Sequence, residues 1–196
     1  MIVRSLLHDG QLRVEAHPRL LPTLARWIPF VPEDTPADPR GAAIRVLPGV
    51  AAPSIPGDRR TLHLNGVDAW VRGGTATLAG GAQVWGSVDL DAGVAEIRIA
   101  EGAEDADAVS WIAYSAGTLC SALLLGRMGR ALAHAAAVGP VDGDAWLLVG
   151  DARAGKTTTC ANLVASGWRY LSDDHVVLYR DADGRVARPL PGRLRG

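Results

Sequence analysis

Apolar and polar positions alternate in short runs through the first hundred residues, with a turn residue between most of them. Residues 2–7 and 12–15 predict two strands paired around His8-Asp9-Gly10-Gln11, a sequence with turn chemistry. Residues 19–28 have helical spacing, with Leu20, Leu24 and Trp27 on one stripe and Pro22 in the first turn. A stiff, proline-rich loop is expected over 29–39. Six glycine-divided segments follow, at 43–47, 61–64, 67–71, 75–78, 83–89 and 94–99, and their spacing predicts an antiparallel meander. Residues 105–128 then predict one long helix. Asp105 and Asp107 suit its positive N-terminal end, and Arg127 and Arg130 its negative C-terminal end.

From Leu132 onward the period changes to that of an α/β unit. Residues 133–138 and 145–149 predict apolar strands around a turn of Gly, Pro and Asp. A helix is expected at 156–166, closed by Gly167 in the usual C-terminal position. Strands are expected at 168–171, 176–179 and 185–187, the last two joined by Asp181-Ala182-Asp183-Gly184. The chain therefore divides into an N-terminal α+β, mainly β region (1–104), a connecting buried helix (105–131) and an α/β unit (132–196).

Composition narrows the picture. Apolar residues make up 48% of the 196 positions, so the chain has enough to bury a sizeable core. A net charge of −1 gives no electrostatic case for nucleic acid or for an acidic membrane surface. The uncharged middle of the long helix is about as long as a minimal bilayer span. Its Ser110, Ser115, Thr118 and Ser121 favour a helix buried between layers, so no membrane partner is expected. Residues 1–4 lead into no apolar stretch with a cleavage site, so no signal peptide is expected and the reading is cytoplasmic. Cys120 and Cys160 are too few for a disulfide scaffold and too far apart in sequence to chelate as a pair.

Of 20 basic residues, all but Lys156 are arginine. A single lysine in an arginine-rich chain points to a place where a slim point charge is needed rather than a planar fork. That lysine stands in Gly150-Asp151-Ala152-Arg153-Ala154-Gly155-Lys156-Thr157, which fits the phosphate-loop (P-loop, or Walker A) pattern G-x-x-x-x-G-K-[ST] between a predicted strand and a predicted helix. Backbone N–H groups at such a turn converge where the helix dipole adds positive potential. Gly150 and Gly155 let the main chain approach phosphate oxygens. Lys156 reaches the β- and γ-phosphates, Thr157 puts a hydroxyl on Mg²⁺, and Thr158 joins the loop residues 150–157 as a candidate nucleotide-binding residue. Arg153 is unusual where many such loops carry glycine; it either points outward or adds charge beside the phosphates.

Asp173 and Asp174 follow the loop after one helix and one strand. If that strand runs parallel to 146–149, the two carboxylates end on the loop's edge of the sheet. One can then hold Mg²⁺ while the other takes a proton from an attacking hydroxyl. The plainer reading is a polar turn. His134 is either a core histidine satisfied by backbone or a group beside the transferring phosphate. His175 is expected to point away from the aspartates, because strand neighbours alternate faces. His8, His17 and His63 have no ligand spacing.

Together, His134-Ala135, the loop 150–157, Gly167-Trp168-Arg169-Tyr170-Leu171 and Asp173-Asp174 resemble the C-terminal domain of HPr kinase/phosphorylase, whose core is shared with ATP-dependent phosphoenolpyruvate carboxykinases. The likeness runs from Leu132 to Arg195. It implies a P-loop-containing α/β kinase core, incomplete at the C-terminus, as in a shortened member. It also implies ATP and Mg²⁺, a protein or peptide substrate phosphorylated on a Ser or Thr hydroxyl, and a homo-oligomer. By this resemblance Asp173 is the base, Asp174 and Thr157 lie on the metal, Lys156 and the loop amides stabilise the transferring phosphoryl group, and His134 supports the phosphate or the base. Relatives carry Ser-Gly where this chain has Ala152-Arg153. Two alternatives stay open: a regulatory or degenerate nucleotide-binding module without transferase activity, and an NTPase or small-molecule kinase on the same loop.

Overall fold

The computed structural model describes residues 3–7, 12–25, 41–49, 54, 55, 57, 60–103, 107–151, 153–180 and 187–189. The chain is a mixed α/β protein that separates into two compact units, Met1–Arg127 and Met128–Gly196.

The first unit is built on one eight-stranded sheet of order β1-β2-β3-β8-β7-β6-β5-β4. Its strands are β1 (Val3–Leu7), β2 (Leu12–Ala16), β3 (Ala42–Pro48), β4 (Leu62–Leu64), β5 (Val67–Arg72), β6 (Thr75–Gly80), β7 (Val84–Asp89) and β8 (Val94–Ile99). β1 and β2 pair antiparallel, as their alternation predicts, and β4 to β8 form the antiparallel meander. The expectation that 43–47 belongs to that meander is wrong: this segment is β3, which lies between β2 and β8 and is parallel to both, a pairing that alternation within the segment does not encode. Between β2 and β3 come a 3₁₀ turn (Pro18–Leu20) and the short helix α1 (Leu21–Ala25), with Pro22 in its first turn. The rest of the helix expected over 19–28, the proline-rich loop and the turn 8–11 lie outside the described residues.

Helix α2 (Asp107–Arg127) packs on this sheet, chiefly over β6, β7 and β8. Its buried residues include Val109, Ala113, Ala116, Leu119, Cys120, Leu124 and Leu125. The close approach needs Gly80, where an added Cβ would run into the Ile112 side chain. By length and composition alone α2 could cross a bilayer, and half of its most apolar stretch is buried. Asp105, expected in its first turn, lies outside the described residues.

The second unit contains β9 (Ala131–His134), β10 (Ala136–Gly139), β11 (Trp146–Leu148), helix α3 (Lys156–Ala165), β12 (Arg169–Ser172), β13 (His175–Leu178) and β14 (Ala187–Pro189). The single strand expected over 133–138 is divided at Ala135. β10 is the centre of a sheet of order β11-β10-β12, whereas β9 is the edge of a second sheet, β14-β13-β9. The cause is a bend at Asp173-Asp174 in the chain opposite. His134 pairs with His175 and Ala137 with Ser172, and the Ala135 N–H donates to the Asp174 carbonyl at 3.1 Å across the break. The turn 181–184 lies outside the described residues.

β10 is buried on both faces, which its run of small apolar residues permits. Ala135 and Ala137 pack with Val176, Leu147 and Leu171. Ala136 and Val138 pack on the other face with Cys160, Leu163 and Val164 of α3. α3 ends in a Schellman motif: Gly167, at φ +93°, donates its N–H to Val164, and the Trp168 N–H reaches back to Leu163. Both β11 and β12 run antiparallel to β10, so they point the same way with β10 between them. Their C-terminal ends therefore share one edge, as expected from sequence, although the two strands are not neighbours.

Candidate functional site

At that shared edge, β11 delivers the chain into the loop before α3 and β12 delivers it to Asp173-Asp174. The loop is tight. A Cβ on Gly150 would stand 3.0 Å from that of Ala154, whose N–H donates to the Asp151 carbonyl at 3.1 Å. Arg153 at φ +66° and Gly155 at φ +85° both adopt the left-handed conformation. Arg153 thus occupies a backbone geometry that glycine adopts without strain, which explains why glycine is common there.

Gly155 begins α3 with no side chain to cap it. The first-turn N–H groups of a helix have no intrahelical partner and carry the positive end of its dipole. Here they belong to the turn whose Thr157 and Thr158 line a cleft of about 380 Å³. Lys156 enters the same cleft and donates through Nζ to the carbonyls of Gly150 (2.8 Å) and Asp151 (3.0 Å). Arg153, Gly155, His134, Asp173 and Asp174 complete the lining. One wall is thus cationic and rich in helix-terminal dipoles, and the opposite one carries carboxylates and an imidazole. Such a cleft can take an anion on one side and hold a proton or a cation on the other.

Asp173 is buried, only 8% exposed, and accepts a hydrogen bond from the Tyr170 hydroxyl at 2.9 Å. Burial first, and then that bond, push the Tyr170 phenol well above its ordinary value, so it stays a donor. Burial and the charge of Asp173 likewise push up the Cys160 thiol, which sits beneath the site against the Ser172 carbonyl. Arg169 fixes the turn after β10 by donating to Pro140 (3.0 Å) and Gly143 (3.3 Å). The segment 167–171 therefore caps α3, anchors a turn, supplies Tyr170 to Asp173 and puts Leu171 into the core.

Asp174 is flanked by two imidazoles. His134 Nδ1 lies 3.2 Å from one carboxylate oxygen and His175 Nδ1 3.2 Å from the other. The expectation that His175 points away from the aspartates is therefore wrong. Alternation holds only within a strand, and Asp174 lies in the bend before β13, while directly paired residues such as His134 and His175 share a face. His134 is not the buried, backbone-satisfied histidine of the plainer reading, because its side chain is about half exposed.

Of the predicted site residues, His134, Arg153, Gly155, Lys156, Thr157, Thr158, Asp173 and Asp174 come together around the cleft. Gly150 and Asp151 contribute carbonyls to Lys156, Ala154 closes the loop, and Ala152 lies outside the described residues. Tyr170 and His175 were missed as site residues. Tyr170 sits three residues before Asp173, a spacing that could have been noticed, but nothing local signals His175. Comparison with protein-family models, curated proteins and solved structures finds no match to this chain.

Proposed function

We propose that the second unit binds a nucleoside triphosphate through a P-loop and transfers its γ-phosphoryl group to a serine or threonine hydroxyl of a protein or peptide. The observation that carries this reading is the meeting of Lys156 and the α3 N-terminus with Asp173 and Asp174 around one cleft. The cationic wall suits the triphosphate: helix-terminal N–H groups and a mobile ammonium are what phosphate oxygens require. A bound phosphate would take over the Lys156 donors now spent on the loop carbonyls.

Asp173 is the acceptor for the hydroxyl proton, with its carboxyl group oriented by the Tyr170 hydroxyl. In the step, the hydroxyl oxygen forms a bond to the γ-phosphorus, the bond to the β–γ bridging oxygen breaks, the proton passes to Asp173 and the nucleoside diphosphate leaves. Thr157 and Asp174 supply oxygen donors on the cleft wall and fit an Mg²⁺ carried in with the nucleotide, which would neutralise charge on the phosphates. His134, which also lines the cleft, orients Asp174 through its 3.2 Å contact.

The test pairs Asp173→Asn with Lys156→Ala, using fluorescent ATP for binding and γ-labelled ATP with a serine-containing peptide library for transfer. Asp173→Asn is expected to keep nucleotide affinity and lose about 10²–10⁴-fold in transfer, and Lys156→Ala to lose both. Binding without any labelling or phosphate release by the wild type would instead support the nucleotide-binding module, and labelling of phosphate release alone an NTPase. A wild type that binds no nucleotide would overturn the reading.

A further inference from the structure

We infer that His134, Asp174 and His175 form a binding site for a borderline first-row divalent cation, Zn²⁺ fitting best, which has Asp174 in common with the Mg²⁺ that would accompany a nucleotide and differs from it in its two imidazole ligands. Among the described residues these three side chains are close enough to share one ion, each offering a ligand atom within 4.8 Å of the others. Two imidazole nitrogens and one carboxylate are a donor set that favours Zn²⁺, Co²⁺ or Fe²⁺, whereas Mg²⁺ favours oxygen ligands.

The backbone arranges this set. His134 and His175 are direct partners across β9 and β13, so both imidazoles stand on one face, with ring centres 5.6 Å apart and inclined at 62°. The bend at Asp173-Asp174 then turns the Asp174 carboxylate between them. Two ligands about 2.1 Å from one tetrahedral ion are separated by about 3.4 Å. Both His–Asp174 separations, 3.2 Å, are close to that value.

His134 is exposed and Asp174 and His175 are partly so, which gives an ion access, and His134 and Asp174 also line the cleft. Three protein ligands with one open position is the arrangement in which Zn²⁺ activates water or polarises an oxygen.

The experiment needs no nucleotide, so its outcome is independent of the phosphoryl-transfer reading. Chelator-stripped full chain is titrated with Zn²⁺ against a chromophoric chelator, and with Co²⁺ while visible absorption is recorded. One Zn²⁺ per chain is expected, with a Co²⁺ spectrum of low coordination number. Loss of even an outer partner weakens a metal site about 10–100-fold, so His175→Ala and Asp174→Asn should each cost at least about 100-fold. His134→Ala alters an exposed side chain and gives a variant that does not depend on tolerance of change at the less exposed His175. His63→Ala should bind as the wild type does. Absence of stoichiometric Zn²⁺ binding would overturn the inference, as would unchanged affinity in folded His134→Ala and His175→Ala, or displacement of Zn²⁺ by equimolar Mg²⁺.

Discussion

At the scale of single residues, the site depends on what each group is held against. Asp173 is held in one place because the chain buries it and aims the Tyr170 hydroxyl at it. Tyr170→Phe removes that donor and leaves the ring's packing against the cluster of Ala136, Val138 and Cys160 in place. Taking the donor away from a buried acceptor costs about 1–3 kcal/mol, so urea unfolding should show a loss in that range. On the proposed reading, phosphoryl transfer should fall about tenfold, at a transition-state loss near 1.4 kcal/mol, while nucleotide affinity stays constant. Equal loss of affinity and rate would mean that Tyr170 shapes the cleft as a whole. Lys156 was the most legible residue, as the lone lysine of the sequence within a spaced glycine pattern. Tyr170 and His175 were less legible, because a tyrosine or histidine beside an acid is common and only contact gives it a role.

Among elements, α3 shows how local chemistry suffices. The loop glycines, the glycine cap and the apolar positions Cys160, Leu163 and Val164 all agree on one helix and its buried face. Gly167→Ala should cost about 1–2 kcal/mol, since a Cβ is unfavourable at φ +93°. Among the described residues no heavy atom beyond its chain neighbours lies within 4 Å of the added Cβ, so circular dichroism melts should show a lower Tm with an unchanged native spectrum. Gly80→Ala differs in kind. There the new Cβ meets Ile112, so α2 must shift from the sheet, and the loss should be recovered in part by Ile112→Ala in the same chain. The α2 sequence itself leaves a core helix and a bilayer span indistinguishable by length and hydropathy; packing over β6, β7 and β8 is what explains its apolar stretch. β9 and β10 show the opposite of α3. Their sequence is one apolar run, and the break at Ala135 comes from the segment paired opposite, where Asp173-Asp174 bends.

For the whole molecule, each compact unit buries a group that resists ionisation. Burial pushes the Cys120 thiol in the first unit up to about 12 from 9.0. Cys160 and Tyr170 in the second are raised as well. A group with a higher pKa when folded than when unfolded holds its proton more tightly in the native state. Its contribution is complete below the ordinary value and is lost as pH climbs toward the folded one. Stability should therefore hold up to about pH 9 and fall beyond it, which urea midpoints between pH 7 and 11 would show. Cys120→Ser should make that fall shallower, because a hydroxyl does not ionise in this range. The sequence by itself determined the strand-rich first part, the long apolar helix, the loop and helix around Lys156 and the position of the two aspartates, since these rest on side-chain period, turn residues and caps that act within a few positions. Only the tertiary structure decided that β3 joins two halves of a sheet, that one apolar run is shared between two sheets, and that His175 meets His134 across Asp174. Those outcomes depend on the register between distant segments, a choice made by packing and backbone pairing to which no short stretch of sequence is sensitive.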